Sequence, residues 1–110
     1  MNVSENICIL IEVIKAIENN PTGDIMCLML YAVETVAENI NSTPHHVERI
    51  LNDVVTGGDM RYNLVDFGRI ISEYLATNNK TPVKELLVKN ISAENHDSDL
   101  QAIENWYKGE

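Results

Sequence analysis

Between Ile7 and Ile17 only Glu12 and Lys15 interrupt an apolar run. With Glu18 they recur every third residue, so they share one narrow stripe of a helix. A helix that is apolar around the rest of its circumference must be covered on several sides. Strict apolar–polar alternation occurs nowhere in the chain, whereas helical spacing recurs from Ile7 to Leu87. The predicted fold is all-α, a compact bundle of five or six helices. At 110 residues the chain is long enough for one core and too short for two. Few helices in so small a protein can be enclosed by their own chain. Part of the first helix is therefore expected to lie under a second copy or another partner, and a homodimer is the expected assembly.

The remaining elements follow from caps and periodicity. Ser4 is placed to cap the first helix, and Asn19-Asn20-Pro21-Thr22-Gly23 ends it. Asp24 caps a second helix from Ile25 to about Ile40. The longest unbroken apolar run, Ile25 to Val33, opens it. That run is far short of the roughly 20 residues a bilayer span needs, so it reads as a buried segment and no membrane partner is expected. Val33, Val36, Ala37 and Ile40 are expected to face inward. Thr43-Pro44 opens a third helix with Val47, Ile50, Leu51, Val54 and Val55 inward, and Gly57-Gly58 closes it. A fourth helix spans about Asn63 to Ala76, with Leu64, Phe67, Ile71, Tyr74 and Leu75 inward. Thr81-Pro82 repeats the cap-plus-proline device for a short fifth helix. A last helix from Asp99 to Tyr107 would dock Trp106 on the body or on a partner. The layout is one helical domain over 1–90 and an acidic C-terminal tail with a docking helix over 91–110.

Charge narrows the function. Lys and Arg number 8 against 17 Asp and Glu, a formal net of −9. That balance argues against a nonspecific nucleic-acid coat and against attachment to anionic lipid. The charge is also segregated. Residues 1–48 carry −6, residues 49–89 carry +1, and residues 90–110 carry −4. Only the middle third has a field that would not repel nucleic acid.

The segment Val36-Ala37-Glu38-Asn39-Ile40-Asn41-Ser42-Thr43-Pro44-His45-His46-Val47-Glu48-Arg49-Ile50-Leu51 resembles the helix-turn-helix family. Ala37 stands where two helices cross, Ile40 closes the first, and Thr43-Pro44 opens the second. Asn41 occupies the turn position where the family favours Gly, and Asn tolerates the positive φ needed there. Ser42 departs from the pattern, since the family usually plugs the turn with an apolar residue. The resemblance implies that the second helix reads the major groove with His45, His46, Arg49 and Asn52, between the acids Glu48 and Asp53. Arg61, Arg69, Lys80 and Lys84 would add phosphate contacts. The competing interpretation is a capped turn joining two packed helices, which any bundle needs. Gly57 to Asn63 is too short and too weakly β-prone for a wing.

Other constellations point to no chemistry. Adjacent His45 and His46 diverge by about 100° on a helix and cannot chelate one ion together. His96-Asp97-Ser98-Asp99 lacks the loop and closing Glu of a calcium site and reads as solvated linker. No Ser or Cys has a neighbouring His and acid as nucleophile and base, and no Gly-rich loop opens a helix. Cys8 and Cys27 sit in apolar runs and read as small core residues. The expectation is no enzyme, no metal and no cofactor. The N-terminus lacks a positively charged secretion signal, so a reducing cytoplasm is expected and the Asn-x-Ser/Thr triplets are chance matches.

Two functions remain. The first is a small acidic antagonist or adaptor of the immunity, anti-defence or regulatory type. It would steer toward a more basic partner through Glu34, Glu38 and Glu48. The second is a dimeric helix-turn-helix regulator contacting DNA through His45, His46, Arg49, Asn52 and Arg61.

Overall fold

The interruptions along the first helix decide how the bundle closes around it. In the computed structural model, which describes residues 3–19, 24–55, 63–91 and 93–109, α1 spans Glu5–Asn19. Helix α2 spans Ile25–Asn39, α3 Pro44–Val55, α4 Asn63–Thr77, α5 Thr81–Lys89 and α6 His96–Lys108. A single 3-10 turn, Ala93–Asn95, precedes α6. The described residues include no strand, so the molecule is the all-α bundle expected. Among them, no helix is long and apolar enough to cross a membrane.

Helix α1 is the axis. It packs against α2, α3, α4 and α6. Ile7, Ile9, Leu10, Val13, Ile14 and Ile17 are each 0–1% exposed, and Ile11 is 6% exposed. Each such side chain contributes about 1.5–3 kcal/mol of transfer free energy. The chain encloses this helix by itself, which removes the reason for expecting a second copy there. The stripe that stays outside runs Glu5, Cys8, Glu12, Lys15 and Asn19. Cys8 is therefore exposed rather than part of the core, because it stands one turn before Glu12 on the polar stripe. Cys27 is exposed as well, on the outer side of α2.

Asp24 caps α2 as its position implies, accepting from the Met26 amide at 3.0 Å and the Cys27 amide at 3.3 Å. Leu28, Met29, Ala32, Val33, Val36 and Ala37 face the core. The apolar run that opens α2 is not buried all round, since Met26, Leu30 and Tyr31 point outward. Ile40 ends the helix and is half-exposed rather than inward. Phe67, Ile71 and Tyr74 carry α4 into the core. Lys80, one residue before the expected Thr81, is the N-cap of α5. There the Asn79 Oδ1 accepts from the Thr81 amide at 3.1 Å. The Asn19 to Gly23 breaker loop beyond Asn19, the Gly57-Gly58 stop and the side chains of Val54, Val55 and Leu64 lie outside the described residues.

The C-terminal segment is fastened to the body. Helix α6 packs on α1 and α5, and Ile103 and Trp106 are buried. It begins at His96, three residues earlier than the spacing suggests. The His96-Asp97-Ser98-Asp99 stretch is thus its first turn and not a linker. Asp99 is fully buried. Its Oδ1 accepts the Ser4 amide at 2.7 Å and its Oδ2 accepts the Ser4 hydroxyl at 2.8 Å. The Ser4 side chain is therefore committed to α6, and a carboxylate from the far end of the chain sits at the positive end of α1. At the other end of α1, Glu18 accepts the Tyr74 hydroxyl at 2.6 Å and the Trp106 indole N–H at 3.4 Å. Tyr74 and Trp106 meet edge to face, 6.0 Å between centroids. Lys80 donates to the carbonyls of Trp106 and Tyr107, at 3.0 and 3.3 Å, where it opposes the dipole of α6.

Candidate docking face and the turn between α2 and α3

The turn between α2 and α3 is built by three local devices. Asn41 has φ 57°, the left-handed conformation expected of it. The Ser42 amide donates back to the Ala37 carbonyl at 2.8 Å and the Asn41 amide to the Glu38 carbonyl at 3.2 Å. This double return is a Schellman closure of α2. Thr43 Oγ1 then accepts the His46 amide at 3.2 Å and Pro44 begins α3. Ser42 is exposed, so its own side chain does not plug the turn.

The residues expected to read bases do not form one surface. His45 and Arg49 are exposed on α3. Asn52, expected on the polar face, is buried at 7% exposure. Helix α3 is flanked by α1, α2 and α4, and that enclosure reaches beyond its apolar stripe. His46 is half-buried and engaged: its Nε2 contacts the Glu5 carboxylate, and Arg49 Nη2 lies 3.4 Å from its Nδ1. Arginine only donates, so in the neutral ring this contact makes Nδ1 the acceptor and leaves Nε2–H to donate to Glu5. Arg61 lies outside the described residues. The other cations expected to touch phosphate have acidic or carbonyl partners. Lys84 pairs with Glu104 at 2.7 Å and lies over the Tyr107 ring at 4.4 Å. Arg69 lies 3.8 Å from Asp66, and Lys80 is held by α6. Lys84, by hydrogen bond first, holds the Glu104 carboxyl below its ordinary value.

The outer face of α2 is different in kind. Met26, Cys27, Leu30, Tyr31, Glu34 and Glu38 follow the i, i+3, i+4 spacing of one helix side, and all are exposed. Met26 is 48% exposed, Leu30 48% and Tyr31 47%. The face is apolar in its first two turns and acidic in its last two. Helix α2 contains no Lys or Arg. Asp24 lies beside this face and, chiefly through a hydrogen bond, pushes the Cys27 thiol above its ordinary value, so the thiol stays protonated. Glu48, expected to join Glu34 and Glu38, is half-buried on α3.

The apolar part of this face was not singled out from the sequence, yet a signal for it is there. Glu34 and Glu38 continue the stripe of Met26 and Leu30 at four-residue steps, so the acids mark the side that faces out. Among the described residues no cluster of three or more His, Cys, Asp or Glu is placed to hold a metal ion. Tyr74, in the polar knot at Glu18, has its phenol pushed up to about 12, by burial first and by the Glu18 carboxylate second. It therefore serves as a fixed donor at neutral pH. Comparison of the chain with protein-family models, curated proteins and solved structures finds no match.

Proposed function

We propose that this chain is a non-enzymatic protein-binding antagonist or adaptor that docks a more basic partner on the outer face of α2. The observation that carries this reading is the pattern on that face. Met26, Leu30 and Tyr31 stay about half exposed and run directly into Glu34 and Glu38. Exposed large apolar side chains aligned on one helix are a surface waiting for cover. The acids beside them select what covers it. A second copy would bring like charges together, because the face holds acids and no base. A basic partner with its own apolar side chains matches both halves, and the net charge of −9 speeds its approach.

The test is selection from a displayed library of short random peptides, on the wild type and on Leu30→Glu. The expected result is a wild-type pool of basic, apolar peptides that the variant fails to hold. A pool indifferent to Leu30→Glu, or one rich in acidic peptides, would contradict the reading.

A second reading, the dimeric DNA-binding regulator, is favoured by one observation: the Asn41 turn and Thr43-Pro44 cap leave Arg49 exposed on α3. Glu48 and Asp53 on the same helix weaken it. Retardation of duplex DNA at low salt, abolished by Arg49→Ala, would support this reading over the first.

A further inference from the structure

The docking face borders a groove along the α1–α2 seam. The two helices run antiparallel, so Cys8 and Ile9 stand opposite Ile40, while Ala16 and Asn19 stand opposite Tyr31. The seam opens into two hollows. The one near the turn, about 500 Å³, has aliphatic walls from Val3, Ile9 and Ile40. The one next to the docking face, about 400 Å³, is polar. Tyr31 lines it from α2, Ala16 adds no bulk to it, and Glu12, Asn19, Thr35 and Asn39 supply carboxylate, amide and hydroxyl oxygens.

We propose that this second hollow is an arginine subsite, which takes a guanidinium side chain of the partner docked on α2. The inference rests on the docking reading and adds what the partner must present. A planar guanidinium offers several donors in a fixed fork, matching a carboxylate, and it stacks on an aromatic ring. Tyr31 supplies such a ring, half exposed and at the border of face and hollow. An ammonium would use fewer of these acceptors, and a carboxylate would meet Glu12.

Lys15 is the base that borders the hollow. It lies 4.0 Å from Glu12, with both side chains over 40% exposed, the weakest sort of ion pair. A bidentate guanidinium displaces such a contact. Lys15 therefore acts against the arginine, and removing it should favour binding.

The experiment uses the same peptide library on the full chain, now with Glu12→Gln and Lys15→Ala. Both side chains are exposed on α1 and neither belongs to the apolar stripe of α2, so neither change should disturb folding or apolar docking. Expected is an arginine at a fixed distance from an aliphatic residue in the wild-type pool. Its enrichment should fall about fivefold on Glu12→Gln and rise on Lys15→Ala, with the dependence on Leu30 unchanged. A wild-type pool that depends on Leu30 but prefers no arginine would overturn the subsite and leave the docking face standing. The same holds for an arginine preference untouched by Glu12→Gln. A pool that ignores Leu30 would overturn both.

Discussion

Helices α1 and α2 are both 15 residues long and both strongly apolar, yet they have opposite fates. Helix α1 is wrapped by four helices and, after its first turn, leaves its polar stripe in solvent. Helix α2 packs against α1, α3 and α4 and leaves Met26, Leu30 and Tyr31 in solvent. The difference teaches that apolar content does not assign burial. Where polar residues fall does. In α1 they mark the exposed stripe along the whole helix. In α2 they mark it only in the second half, and the first half of the same stripe is apolar and exposed, the part that the proposed partner would cover.

The sharpest way to break the comparison is to remove the same bulk from both helices. Ile14→Ala should cost about 3–4 kcal/mol in denaturant unfolding, since it opens a cavity in a closed core. Leu30→Ala should stay within about 0.5 kcal/mol, as an exposed side chain does. Similar costs at the two positions would mean that Leu30 is covered in the free protein.

The next largest effect concerns how α1 is held at its ends. Asp99→Ala removes a buried carboxylate that binds the Ser4 amide and hydroxyl, and should cost about 2–3 kcal/mol. Faster exchange of the Ser4 amide should accompany it. At the opposite end, Tyr74→Phe should cost about 1–2 kcal/mol by leaving Glu18 short of one donor. The pH dependence has a defined sign. The folded Tyr74 phenol is raised to about 12 from an ordinary value near 10. Its contribution is complete below pH 10 and lost as pH rises toward 12. Tyr74→Phe should flatten the stability profile in that window, and an unchanged profile would remove Tyr74 as its cause.

Much of this frame was legible before the structure. The spacing of apolar residues, Asp24, Thr43-Pro44 and Asn41 are local signals, and local signals suffice for helices, caps and a left-handed turn. Cys8 was read as a core residue, although a signal for its exposure was there: it precedes Glu12 by one turn on the polar stripe. What could not be read depends on contacts far apart in the chain. Asp99 looks like linker until Ser4 is brought to it, and Asn52 looks exposed until neighbouring helices close over it. The candidate site was half legible. Glu34 and Glu38 were found by charge, whereas Met26, Leu30 and Tyr31 looked like core because nothing in their own turns says otherwise.

The smallest effect tests the turn rather than the helices. Asn41→Gly should be neutral or stabilising by up to about 1 kcal/mol, because glycine accepts positive φ without strain. Asn41→Val should be destabilising by about 1–2 kcal/mol, because a β-branched residue resists that conformation. Both are read from thermal unfolding.

Two methionines on α2 offer the most direct measurement of the central claim. Met26 is 48% exposed on the outer face, and Met29, almost one turn later, is 1% exposed toward the core. Oxidative footprinting of the free protein should modify Met26 and spare Met29. Adding a basic, apolar peptide selected on the wild type should protect Met26 and leave Met29 as it was. Oxidation of Met26 at its free rate with the peptide bound would contradict the account, and so would a Met26 already protected in the free protein.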